Sequence, residues 1–433
     1  MKYTNIIVTI LLFSMLFAAC GERPPKEPGV AVIIIDGLRP DVLQTAHTPM
    51  LDEIQADGAF TPRARAVMPT ATRVNFVTFT TGFYADRHGV IGGTYRDPEF
   101  QEQRTDRPTY RDAQEDVPVP TIFEILADHG KRTAIFAMKG YELVGARGAA
   151  VQKGGAGIFP EEIWQYRYSE EIDGSEEEAL RRKIQMNDIL IDTLASVLED
   201  RQLDFIMINL GASDYIGHVY GPESDAYLEA VEATDRQISR IVGMLKNHYP
   251  TREWYYIIGS DHGFSQTNKE QVALPVDNDM NRIPELAQTN IEHMLYERGG
   301  RAAELYLADP NRVADAFHTI RGLPWVKRIY TNHAIEERAG SLDDLRVAYP
   351  GRHGDFYIIT DPSYALNFAN FGQHGSNDDV DVYVPLYIYA PERVGPGTII
   401  EDASNLDIAP TLGQLYLIDD ERINRMEGNG LLK

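Results

Sequence analysis

The chain has 433 residues, 43% of them hydrophobic, with 41 basic against 65 acidic residues and a formal net charge of −24. Such a chain buries a large core, and its charge disfavours a nucleic-acid polymer as a bulk electrostatic partner, although a bound cation can reverse the sign locally for a small anion. The single cysteine, Cys20, excludes an intrachain disulfide.

Lys2 precedes an apolar run, Ile6 to Ala19, that ends Leu16-Phe17-Ala18-Ala19-Cys20-Gly21. The run is shorter than the roughly 20 residues a bilayer span needs and reads as a signal h-region. Residues 1–20 resemble a bacterial lipoprotein signal, although Phe17 is a less usual residue at its place. The expectation is lipidation at Cys20 and a protein anchored in the cell envelope, facing the periplasm or the exterior. Residues 21–29 carry Pro24, Pro25 and Pro28 and predict a polar tether.

Val30 to Ile35 is a continuous apolar run, as in a strand buried on both faces, and it stops at Asp36-Gly37. Next comes Met68-Pro69-Thr70-Ala71-Thr72-Arg73-Val74-Asn75-Phe76, followed by Thr81-Gly82 and His88-Gly89. A hydroxyl nucleophile needs exposure at a helix start, a lowered pKa and donors for the oxygens of the group attacked. Thr72 is the candidate hydroxyl and Asn75 the candidate donor. A Thr-rich loop that only caps a helix fits this stretch equally well.

A helix is predicted from Pro120 to Gly130 and a strand from Thr133 to Met138, which ends at Lys139-Gly140. Glu176 to Asp200 has helical amphipathic spacing, Phe205 to Leu210 is a strand, Tyr227 to His248 a helix and Trp254 to Gly259 a strand. This rhythm predicts an α/β fold with a mostly parallel sheet flanked by helices on both faces. Strand-like Glu304–Leu307, Val326–Tyr330 and Phe356–Ile359 break the rhythm and predict an inserted α+β subdomain over about 265–370 within a domain of 30–433. Val382 to Tyr389 returns to core strand, and Asn405 opens a last helix.

Ligands in open α/β sheets bind at the carboxyl ends of strands. Asp36, Asp214 with His218 four residues on, Asp261-His262-Gly263, and His374-Gly375 stand at or near such ends. Any one of them is unremarkable as a turn or cap. Three Asp and three His together have the donor chemistry of a site for Zn²⁺ or a similar cation.

Taken together, these motifs resemble the alkaline phosphatase superfamily, and within it the type I phosphodiesterase/nucleotide pyrophosphatase branch. The resemblance runs from Asp36-Gly37 through Pro69–Asn75, Asp214–His218 with Tyr220-Gly221-Pro222, and Asp261-His262-Gly263 to His374-Gly375. It implies two divalent cations, most readily Zn²⁺. One would be held by Asp214, His218 and His374, the other by Asp36, Asp261, His262 and Thr72. It further implies in-line displacement through a phospho-threonine on Thr72, with Asn75 donating to a phosphoryl oxygen.

Two residues depart from the branch. Arg73 stands where that branch usually has Phe, and Phe76 where it usually has His. Arg73 and Lys139 are then candidate substrate-binding cations, which suits a phosphate monoester or phosphonate as the alternative to a diester or pyrophosphate. A non-catalytic metal-binding envelope lipoprotein is the third reading. The expected partner is a small phosphorylated substrate.

Overall fold

A computed structural model describes residues 28–93, 95, 117–139, 141–154, 176–268, 270, 271, 273, 291–296, 299–335, 339–364, 366 and 370–432. The signal segment, Cys20 and most of the tether lie outside the described residues. No helix among those described is long and apolar enough to cross a membrane.

The strands in chain order are β1 (Gly29–Ile35), β2 (Ala59–Arg65), β3 (Thr133–Ala137), β4 (Val151–Gly154), β5 (Phe205–Leu210), β6 (Trp254–Gly259), β7 (Ser265–Gln266), β8 (Ile291–Tyr296), β9 (Ala302–Leu307), β10 (Val326–Tyr330), β11 (Phe356–Thr360), β12 (Gly372–Gln373), β13 (Tyr383–Tyr389) and β14 (Thr398–Ile399). The helices used below are α1 (Pro49–Asp57), α2 (Thr72–Thr81), α3 (Ile122–Asp128), α4 (Glu176–Asp200), α5 (Ala212–Tyr220), α6 (Asp225–His248), α7 (Val313–Arg321) and α8 (Ile408–Leu415).

The main sheet has eight strands in the order β14-β2-β13-β6-β1-β5-β3-β4. Every pairing in it is parallel except the two made by β13. The fold is therefore the α/β architecture expected from the strand rhythm. Alternation along β1 shows why its sequence is apolar throughout. Ala31, Ile33 and Ile35 pack with α1, α4, α5 and α6 on one face. Val30, Val32 and Ile34 pack with α2, α3 and α8 on the other. Side chains of a strand point alternately to its two faces, so a strand covered on both sides has no polar position.

β2 has no such signature in the sequence. It carries Pro62, and its pairing with β13 shifts register between Val384 and Leu386. It is bordered only by the two-residue β14, so the missing N–H is tolerated close to the sheet edge.

A second sheet, in the order β10-β11-β9-β8, is covered by α7 through Ala316, Phe317 and Ile320. The antiparallel pair β7–β12 frames the segment that contains it.

Candidate metal centre and nucleophile

Three neighbouring parallel strands, β6, β1 and β5, end at one edge of the sheet. Asp36 follows β1 directly, and its N–H donates to the last carbonyl of β5 at 3.1 Å. Beyond β5 the chain turns at Gly211 into α5, which carries Asp214 in its first turn and His218 in its last. Asp261 and His262 follow β6. Gly37 adopts a left-handed φ of +69°, and a Cβ there would stand 2.6 Å from the Phe264 ring, so only glycine fits this turn.

His374 comes from elsewhere. It follows β12, and its N–H donates to the Gly299 carbonyl at 2.8 Å while its own carbonyl accepts from Arg301 N–H at 2.9 Å. A Cβ on Gly299 would come within 2.5 Å of His374 Nδ1. Thr70 completes the clasp. Its carbonyl faces His374 Nδ1 at 2.8 Å, and its hydroxyl donates to the Ser376 carbonyl at 2.7 Å and accepts from Gly375 N–H at 3.1 Å.

The three histidines share one arrangement. Each has Nδ1 within 2.9 Å of a main-chain carbonyl: Gly372 for His218, Gly263 for His262 and Thr70 for His374. That fixes the tautomer with Nδ1 protonated and turns the Nε2 lone pair to the interior, as in metal-ligating histidine. His218 Nε2 and His374 Nε2 lie 3.5 and 3.6 Å from Asp214 Oδ1, and His262 Nε2 lies 3.9 Å from it. His262 Nε2 is also 3.5 Å from both Asp36 Oδ1 and Asp261 Oδ2. These separations are too long for hydrogen bonds. Donors held about 2.0–2.2 Å from one tetrahedral cation stand about 3.3–3.6 Å apart, which is close to what is found.

Two ligand sets emerge on geometry: Asp214, His218 and His374, and Asp36, Asp214 and His262. Asp214 faces both, and Asp261 flanks the second. Asp214 Oδ1 and Asp261 Oδ2 are buried without a hydrogen-bond partner among the described residues. Buried carboxylate oxygens in that condition are costly unless a cation meets them. Asp36, Asp214 and Asp261 are buried together, and the one ammonium there, Lys139, meets the first two, which leaves a formal deficit of two charges. The donor set therefore fits divalent cations.

Electrostatics agree. Burial, and after it the charges of Asp214 and Asp261, pushes the Asp36 carboxyl well up, against the pull of Lys139. Burial works the same way on Asp214, but Lys139 and then the histidines outweigh it and hold that carboxyl below the usual range. Burial first, with His262 and His218 behind it, keeps His374 neutral, and burial also lowers His218. Neutral imidazole is the form that binds metal.

Thr72 is the first residue of α2 and is 3% exposed. Its Oγ1 lies 3.4 Å from Asp36 Oδ1, 3.2 Å from His262 Nε2 and 3.3 Å from Lys139 Nζ. Lys139 is thus brought to the centre, with its ammonium also 2.9 Å from Asp36 and 2.5 Å from Asp214. Six sequence-derived ligand candidates, the nucleophile candidate and one cation candidate converge.

Two of the candidates make other contacts. Asn75 does not offer a donor to the centre. It is fully buried, and its amide nitrogen is spent on the carbonyls of Val67, Pro69 and Ala71 at 3.1–3.3 Å. Arg73 is 4% exposed, donates to the Gly93 carbonyl at 2.9 Å and lies over the Tyr95 ring, so it braces that segment. His88, from the same stretch, is also structural: its Nε2 meets Thr78 Oγ1 at 3.1 Å and its Nδ1 accepts from Val90 N–H.

Sequence reading also passed over supporting residues. Asn209 donates to Asp36 Oδ2 at 2.9 Å, Ser213 Oγ donates to the Asp36 carbonyl at 2.7 Å, and Tyr227 OH donates to the Gly37 carbonyl. Only Asn209 left a signal, as a polar residue inside an otherwise apolar strand.

Residues 30–377 match the family model for type I phosphodiesterase / nucleotide pyrophosphatase. Human ectonucleotide pyrophosphatase/phosphodiesterase family member 7 is 23% identical over 392 residues, which is 88% of this chain and 79% of that protein. GPI ethanolamine phosphate transferase 1 of Schizosaccharomyces pombe is 27% identical over 60% of this chain and 26% of its own length. Among solved structures, an inactive variant of murine ectonucleotide pyrophosphatase/phosphodiesterase 5 in complex with AMP superposes with a TM-score of 0.67 at 17% identity, covering 94% of this chain and 100% of that one. The resemblance read from the motifs is confirmed, and the chain belongs to the type I phosphodiesterase / nucleotide pyrophosphatase family, an alkaline phosphatase-like group of hydrolases acting on phosphoric ester or anhydride bonds.

Proposed function

We propose that the protein hydrolyses a small phosphodiester or pyrophosphate in two displacements on Thr72. The observation that carries this is the placement of Thr72 Oγ1 at a helix start, within 3.4 Å of Asp36, His262 and Lys139. Bound at Asp214–His218–His374 and Asp36–Asp261–His262, two divalent cations, most readily Zn²⁺, would supply Lewis-acid charge for the attacking and leaving oxygens. The chain's own groups do the rest. The Thr72 hydroxyl directs its proton at Asp36 Oδ1, and the N-terminus of α2 favours negative charge on Oγ1. Oγ1 bonds to phosphorus as the bond to the leaving-group oxygen breaks, and the proton given up by Thr72 passes through water to that oxygen. A second water then attacks the phosphoryl group, breaks its bond to Oγ1 and restores the hydroxyl.

Lys139 supports a second reading on the same site, a phosphomonoesterase or phosphonate hydrolase. Its ammonium stands 3.3 Å from the nucleophile, where a third cation would favour a dianionic phosphoryl group. Rates on a diester and a monoester with one leaving group separate the two readings, and Lys139→Ala lowers the monoester rate more than the diester rate if the second holds. For either reading, Thr72→Ala loses activity on the order of a thousandfold or more, and EDTA abolishes activity until Zn²⁺ is returned. Full activity in Thr72→Ala, or indifference to EDTA, would sink the assignment.

The proposal extends to location: a lipid on Cys20 and residence in the bacterial cell envelope, supported by the apolar run and small residues before Cys20. Detergent partitioning of the full chain, lost in Cys20→Ser, checks it.

A further inference from the structure

Thr72 and the Asp261–His262 turn belong to different elements, yet one buried side chain touches the main chain of one and the support of the other. Asn405 begins a 3-10 turn, Asn405–Asp407, that leads into α8, and it is 2% exposed. Its amide nitrogen lies 3.0 Å from Asn75 Oδ1, 3.3 Å from the Ser260 carbonyl and 3.3 Å from the Asp261 carbonyl. Asn75 Oδ1 also accepts Val67 N–H at 2.9 Å, while the Asn75 amide nitrogen serves the carbonyls of Val67, Pro69 and Ala71. A chain of amides thus runs from the Asp261 main chain, through Asn405 and Asn75, to the turn just before Thr72.

The far end of this chain is itself pinned. Ser404 and Asp407 form a reciprocal capping box around Asn405. Ser404 Oγ donates to the Arg65 carbonyl at 3.0 Å, and Asp407 Oδ1 accepts Asn429 N–H at 2.7 Å. Leu406 packs in one cluster with Val74 and Val77 of α2. An asparagine beside a helix start ordinarily caps the helix. Here Ser404 does the capping, and the Asn405 amide is directed to the catalytic loops.

We infer that Asn405 is a positioning residue that, through Asn75, fixes the Thr72 oxygen against Asp261 and His262. The inference rests on Thr72 as the nucleophile. A buried amide bridging three acceptors holds them at one spacing; without its donor Asn75 Oδ1 keeps only Val67 N–H, and nothing ties it to the Ser260 and Asp261 carbonyls. Misplacing a reacting atom by about 1 Å costs about 100-fold in rate, so a small drift is felt in turnover before it is felt in binding.

The test uses the full chain loaded with Zn²⁺ and a chromogenic phosphodiester. Asn405→Ala lowers kcat about 10- to 100-fold with KM held within about threefold. Added to chelator-stripped protein, Zn²⁺ raises its melting temperature less than that of the wild type. Asn75→Ala with Asn405→Ala loses no more kcat than the worse single variant, because both interrupt one chain. Should Asn405→Ala be recovered unfolded, Asn405→Leu, which fills the space without a donor, is judged by the same criteria. A folded variant with kcat within about twofold of wild type, or losses that multiply in the double variant, overturns the inference. Thr72→Ala is run alongside. If it is active, the underlying reading fails; if it is inactive while Asn405→Ala is unimpaired, only the brace fails.

Discussion

The centre is assembled from two halves held by different means. Asp36, Asp261 and His262 directly follow two adjacent parallel strands of the main sheet, and Asp214 and His218 ride on α5 just after a third, so the sheet's hydrogen-bond register and one helix start place most of them, with His218 also held by the Gly372 carbonyl. His374 comes from a two-residue strand and is placed by Thr70, Gly299 and Arg301, residues distant in sequence and partly on the second sheet's side. The sheet half depends on a large apolar core, and the His374 arm on a few buried polar contacts. Damage to the first is spread over many contacts, whereas the second can be undone by a single side chain.

Substitutions that separate the halves differ in size. The largest effect is expected at Asp214, which faces both ligand sets. Asp214→Ala loses activity on the order of a thousandfold or more and abolishes the rise in melting temperature on Zn²⁺ addition, whereas His374→Ala keeps part of that rise. Equal effects in the two variants would erase the distinction between the halves. Arg301 comes next. It is fully buried, bonded to Asp378 at 2.7 Å, to the Thr360 carbonyl and to Ser265, with Asp381 at 3.7 Å. Arg301→Met leaves buried Asp381 without its cation, while Asp378 keeps Lys327 at 2.7 Å and Arg328 at 2.9 Å; the change costs about 3 kcal/mol in urea unfolding, with Zn²⁺ affinity falling at the His374 set.

His88, outside both halves, tests the packing beneath α2 by pH. Burial depresses its imidazole to about 3, against an ordinary 6.5. On acidification the unfolded chain takes the proton first, so the stability that His88 confers is complete above about pH 6.5 and is lost as pH falls toward 3. Between pH 7 and 4 the wild type loses about 3 kcal/mol more than His88→Gln, read from denaturant midpoints at each pH. Equal losses would show that His88 titrates normally. The smallest change is Thr70→Val, which leaves Gly375 N–H and the Ser376 carbonyl without partners at a cost of about 1–3 kcal/mol, and lowers activity through the His374 arm. An unchanged KM for substrate alongside weakened Zn²⁺ binding marks that route.

What was legible in the chain follows the same division. Continuous β-branched runs such as Val30–Ile35 announce central strands, and Asp or His beside their ends marks candidate ligands, because both signals are local. β2 was hidden by Pro62, since its membership depends on a neighbour's bulge. The dipeptide His-Gly occurs at His88 and at His374, and local sequence cannot say that one packs under Thr78 while the other faces Asp214. Asn75 beside Thr72 has the right chemistry for an oxygen donor, yet its amide is claimed by three carbonyls that only the folded turn presents. Asn405 looks like a cap because its partners lie far away in sequence.

The central claim is that Thr72 carries the phosphoryl group between two displacements. Acid quenching during turnover of a slow diester substrate, followed by mass spectrometry of the peptide containing Thr72, tests it most directly. A mass gain of one phosphoryl group on that peptide, absent in Thr72→Ala, is the predicted result. Undiminished turnover by Thr72→Ala, with no phosphorylated peptide in the wild type under any quench, would contradict it.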